Sequence, residues 1–171
     1  LHVRDRIEAA GRILTLAPHH ALLELLGRRL RLRARLELGD LTGVDADIAA
    51  YARVADRLRS PTYSWLVPMW RGMRAVLEGD LAAGSRYADE VATLAGKAQS
   101  ANAEVMAWSL RWRIARLRRE TRVIDELAGQ LAQWSQSAEV SPWLDCTFAL
   151  LFAESEDPER GRRHLRRLMD A

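Results

Sequence analysis

The chain has 171 residues, 49% of them hydrophobic and 29% charged, which suits one domain or one repeat array and excludes a disordered chain. Its one cysteine, Cys146, excludes an internal disulfide and fits a reducing, cytoplasmic setting, and the longest apolar run, near 148–153, is too short to cross a bilayer. Net charge is only +3, yet 25 of the 26 basic residues are arginine and Lys97 is the single lysine, a composition fitting a GC-rich genome and also bidentate pairing with carboxylate or phosphate.

Helices are expected at about 3–16, 20–38, 41–58, 62–78, 81–98, 102–119, 122–136, 142–155 and 158–170. The first carries a short apolar ladder, Ile7, Gly11, Leu14, and Pro18 ends it. The second closes at Gly39-Asp40-Leu41, where glycine suits a left-handed cap and aspartate caps the helix that follows. The third carries Val44, Ile48, Tyr51, Ala55 and Leu58, all on one face. Ser60-Pro61 opens the fourth, which contains Pro68. That proline removes the bond to the carbonyl of Ser64, so the helix either kinks there or becomes regular only near Trp65.

Gly79-Asp80-Leu81 then repeats the earlier turn at an offset of 40 residues. The ladder recurs as Gly84, Ala88, Val91, Ala95, Ala98, and again as Ile124, Ala128, Leu131, Ser135, Ala138. Arg119-Glu120-Thr121 keeps the turn position without the letters. Ser141-Pro142 opens a helix that is apolar almost all round, which predicts burial on both sides and an inert core thiol at Cys146. Asp157-Pro158 opens the last helix, with Gly161, Leu165 and Leu168 as its ladder. No segment sustains a period of two, so no strand is expected.

A helix with one apolar stripe must hide it against neighbours, and stacked hairpins do so. The expected fold is therefore all-α: an α-α superhelix of about four hairpins, near 18–58, 60–98, 100–138 and 141–171, plus an N-terminal orphan helix, forming a single domain over 1–171. The unit resembles the tetratricopeptide repeat, with small residues where helices touch, although its period exceeds the usual 34 residues and the Trp–Leu–Gly–Tyr lettering is not kept.

A narrower resemblance lies in Leu36-Glu37-Leu38-Gly39-Asp40-Leu41, in Asp45-Ala46-Asp47-Ile48-Ala49-Ala50-Tyr51-Ala52-Arg53, and in the run from Trp70 to Gly79. These look like the C-terminal helical region of large bacterial ATP-binding transcriptional regulators of the LuxR/SARP type. That resemblance implies a sensor or coupling role beside a signal-transducing ATPase. It also implies that the chain is a piece of something larger.

Arg31, Arg71 and Arg111 occupy equivalent positions of three successive first helices. In tetratricopeptide arrays these helices line the groove. A ladder with steps of about 10 Å would clamp the carboxylates of an acidic peptide. The alternative is a solvated stripe, since Glu24, Arg28, Arg31 and Arg35 share one polar face. Trp70 and Trp108 lie in the same helices and are expected either as core or as part of an aromatic-and-arginine groove. The basic clusters Arg113, Arg116, Arg118, Arg119, Arg122 and Arg160, Arg162, Arg163, Arg166, Arg167 read mainly as charge patterning, with nucleic acid a lesser reading.

Chemistry has little footing. His19 and His20 are adjacent and point to different faces, and no metal, thiol-pair or phosphate-loop motif occurs. The expectation is a non-catalytic interaction or regulatory module with no cofactor and no metal. Its partner would be a protein, a peptide or other domains of the parent chain, with a homodimer possible. The alternative is a purely structural or dimerising scaffold.

Overall fold

The computed structural model describes residues 2–16, 19–135, 142–153 and 158–169. The described residues are helical, with short turns and no strand: α1 Val3–Leu16, α2 Ala21–Leu38, α3 Leu41–Leu58, α4 Pro61–Ser64, α5 Leu66–Leu77, α6 Leu81–Ala98, α7 Ala101–Arg118, α8 Thr121–Ser135, α9 Pro142–Ala153 and α10 Pro158–Met169. The all-α hairpin class expected from the sequence is what the structure has. Pro18, Ser141 and Asp157, read as breakers, and Ala138 of the third ladder lie outside the described residues.

The turns explain the repeat. Gly39, Arg59, Gly79, Gln99 and Arg119 all adopt left-handed backbone, with φ between 45° and 83°. They fall every twenty residues, so each helix and its turn form one unit and two units make the forty-residue period. In each, the left-handed residue satisfies carbonyls of the helix it ends, as Gly39 does for Arg35 and Leu36. Asp40 and Asp80 then each accept the amide of the third residue on, Gly43 and Ala83.

The chain divides into two compact units, Leu1–Ala107 and Trp108–Ala171, with the division inside α7. In the first, α2 packs on both α1 and α3, and α5 packs on α6. Gly27 permits the α1–α2 approach: a Cβ there would lie 2.9 Å from the Leu14 side chain and 3.2 Å from the Ala10 carbonyl oxygen. Val44, Ile48, Tyr51 and Ala55 join Leu25, Leu32, Val67 and Trp70 in one core. Val91 and Ala95 join Trp65, Ala103 and Ala107 in another. Burying each such branched side chain stabilises by about 1.5–3 kcal/mol.

In the second unit, Ile124, Ala128 and Leu131 pack with Trp108, Trp112, Phe148, Leu151 and Phe152. The last ladder departs from expectation. Gly161 is buried against the α9 backbone, but Leu165 is exposed and the His164 ring stacks on Phe148 at 4.7 Å instead. Cys146 is also exposed and is not the core thiol expected, because α9 turns Phe148, Leu151 and Phe152 inward and Cys146 lies on the face of exposed Leu150.

The helix expected at 62–78 is two pieces, broken at Trp65. Pro68 has no amide to give the Ser64 carbonyl, and the first bond beyond it, from the Met69 amide to the Trp65 carbonyl, is long at 3.3 Å. The break turns Trp65 inward, where it packs against Val91 and Ala103.

Candidate functional site

The polar face of α2 is half-buried and engaged with α3. Arg31 donates through Nε to both oxygens of Asp47 at 3.2 and 3.0 Å, and through Nη2 at 2.5 Å. Arg35 adds a bond to Asp47 at 2.8 Å and another to the Gly43 carbonyl at 2.8 Å. Arg28 approaches the same carboxylate at 3.5 Å and is held by Glu24. Asp47 is fully buried, so these arginines compensate a charge that burial would otherwise penalise heavily. Its hydrogen bonds outweigh burial and raise the Arg31 pKa above the ordinary value. Arg31 is thus committed to joining α2 to α3.

Helix α5 lies between two openings. At about 3.6 residues per turn, Leu66, Met69, Trp70 and Met73 share one side, while Arg71, Arg74, Ala75 and Glu78 share the other. The second side lines a cleft of about 490 Å³, completed by Asp45, Ile48 and Ala49 of α3 and by Ala83, Arg86 and Tyr87 of α6. Arg74 is buried there and donates to Asp45 at 2.8 and 3.2 Å and to Glu78 at 2.7 Å. The bond to Asp45 is the main reason its pKa rises. Its Nη1 is buried without a hydrogen-bond partner. Arg71 and Arg86 are exposed and form no ion pair among the described residues.

The first side lines an apolar groove of about 280 Å³. Leu32, Leu36, Leu66, Met69, Met73 and Met106 form its walls with Trp65 and Trp70, and Arg29 and Arg33 stand at its edge. A neighbouring hollow shares Arg29, Trp65 and Leu66 and continues past Leu22 and Leu26. Trp70 meets Tyr51 edge-on at 4.8 Å, so its ring is chiefly core.

Within the first unit, the residues singled out from the sequence separate. Arg71 faces the cleft and Trp70 the groove. Arg31 pairs internally, and the guanidiniums beside the groove are Arg29 and Arg33. Arg111 and Trp108 belong to the second unit, where Arg111 is half-buried and Trp108 is buried, donating Nε1–H to the Leu127 carbonyl at 2.9 Å. Trp108 is a packing residue there, stacked 5.7 Å from Trp112. In the basic cluster of α7 and α8, Arg116 lies over the Trp112 ring, Arg118 approaches Glu120 at 3.8 Å and Arg122 pairs with Glu126.

Sequence reasoning missed Asp47, Arg74, Arg86, Arg29 and Arg33. The forty-residue offset was the usable signal for the first hairpin's counterpart positions, but Arg74 and Arg86 align with Ala34 and Ala46 and so stand outside the repeat. Among the described residues no group of histidine, cysteine or carboxylate side chains is placed to hold a metal ion, and no helix is long and apolar enough to cross a membrane. No protein-family model, curated protein or solved structure matches the chain.

Proposed function

We propose that the chain is a non-catalytic interaction module that docks an amphipathic, acidic segment of a partner protein, or of its own parent chain, in the groove between α2, α5 and the start of α7. The observation that carries this reading is the combination of three methionines, Met69, Met73 and Met106, with Arg29 and Arg33 one turn apart and free of ion pairs among the described residues. Methionine adapts its shape to an apolar insert, and the arginines select an insert carrying carboxylates. The regulator resemblance supports a bacterial ATP-dependent transcriptional regulator as the parent, with the docked segment controlling the ATPase.

The test is titration of an amphipathic peptide with glutamates beside its leucines, followed by tryptophan emission, since Trp65 and Trp70 line the groove. Binding that falls about tenfold in the Arg29→Glu/Arg33→Glu variant supports the reading. Equal binding of the same peptide with lysines for glutamates overturns it.

A second reading, self-association, is favoured by exposed Leu150, Leu165 and Met169 on α9 and α10. A concentration-independent monomer in sedimentation removes it.

A further inference from the structure

The first hairpin contains its own example of how this scaffold holds a carboxylate. Arg31 of α2 and Asp47 of α3 lie sixteen residues apart and meet across the hairpin. Forty residues on, the same two positions are Arg71 of α5 and Tyr87 of α6. The register is structural as well as alphabetical, because the caps at Gly39 and Asp40 recur at Gly79 and Asp80 with the same geometry. Where the first hairpin supplies an acid, the second supplies a phenol, whose hydroxyl can donate a hydrogen bond.

Both residues line the α3–α5–α6 cleft. So do three carboxylates, and each is already engaged. Asp45 and Glu78 hold Arg74, and Asp80 accepts the Ala83 amide. Arg71 and Arg86 have no such counterpart among the described residues, and Arg74 keeps one buried donor unmet. Buried guanidinium donors without partners are costly, and accessible paired arginines fork readily onto a carboxylate.

We infer that this cleft is a carboxylate-binding site, in which Arg71, Arg86 and the Tyr87 hydroxyl take up an acidic group from a ligand as Arg31 takes up Asp47. The volume of about 490 Å³ admits a small polycarboxylic acid or an acidic side chain of a partner. This site lies across α5 from the apolar groove and does not depend on what the groove binds.

The test uses the whole chain at low ionic strength, with circular dichroism confirming that each variant folds. Citrate is the free-acid probe, an oligoglutamate peptide stands for a partner's acidic segment, and inorganic phosphate is the competing anion. Arginine Nε–H resonances report binding at Arg71. The expected result is saturable citrate or peptide binding that weakens about tenfold or more in Arg71→Gln and in Arg86→Gln and is unchanged in Lys97→Gln. Whichever of the two probes binds more tightly identifies the source of the carboxylate. Tyr87→Asp gives Arg71 the internal acid that Arg31 has in Asp47, so it should abolish binding of both probes. Citrate and peptide affinities that survive Arg71→Gln, or phosphate binding tighter than both, overturn the assignment.

Discussion

Asp47 holds Arg31 through both carboxylate oxygens while being itself inaccessible to solvent. Removing Asp47 strands Arg31 at the α2–α3 seam and takes an acceptor from Arg35 as well. Asp47→Asn should therefore destabilise the first unit by about 3 kcal/mol, at the low end for a broken buried pair because the arginines keep some solvent. Replacing both, as Arg31→Met with Asp47→Leu, should recover part of that loss. Urea unfolding of the two single variants and the double variant checks it, and a strictly additive double variant would contradict the pairing.

Alkaline stability should depend on Tyr51. Burial pushes its pKa from 10.0 up to about 12, with nearby Arg29 acting the other way. The raised value means the neutral phenol favours the folded state. That contribution is complete below pH 10 and is lost as pH climbs through 12. Tyr51→Phe keeps the contact with Trp70 and should raise the alkaline unfolding midpoint, by on the order of 1–2 kcal/mol at pH 12. Ultraviolet titration of the phenolate should show the step missing from the variant's unfolding range.

Gln99 ends α6 with φ 45° and ψ 49°, a conformation that suits glycine. Gln99→Gly should stabilise by about 0.5–1 kcal/mol, the relief of left-handed strain exceeding the added freedom of the unfolded chain. Gly79→Ala, at φ 83°, should cost about 1 kcal/mol. Thermal midpoints moving in opposite directions for these two variants check the pair.

Gly161 lets α10 reach the backbone of α9. A Cβ there would sit 2.9 Å from both the Ala149 carbonyl oxygen and the Ala153 amide nitrogen. Gly161→Ala should loosen α9 against α10 at a cost of about 1–3 kcal/mol. Hydrogen exchange should quicken in α9 and α10 and stay unchanged in α2 and α3.

The helices and their repeat were legible because two Gly-Asp-Leu turns and three ladders recur at one offset, and such patterns reflect backbone needs. Ile48, Val91 and Leu131 are buried as the ladder requires. The break at Trp65 was legible in Pro68. The direction of the α2 arginines was not. That helix carries leucine on every side, including exposed Leu22, Leu26, Leu30 and Leu38, so its apolar stripe gives no clear bearing. Which of Arg29, Arg31, Arg33 and Arg35 turns inward is decided by Asp47, and a buried acid in α3 reads locally like any surface one. Cys146 was misplaced for a related reason: an all-apolar helix does not say which of its sides a neighbour covers.

The even punctuation of the chain has an implication for its history. Because turn residues stand at 39, 59, 79, 99 and 119, excising residues 40–79 would join Gly39 to Asp80 and rebuild the same junction. Growth or loss by whole hairpins thus leaves every remaining joint intact. Meanwhile a single exchange such as aspartate for tyrosine at one rung can turn an internal brace into an opening for an outside guest.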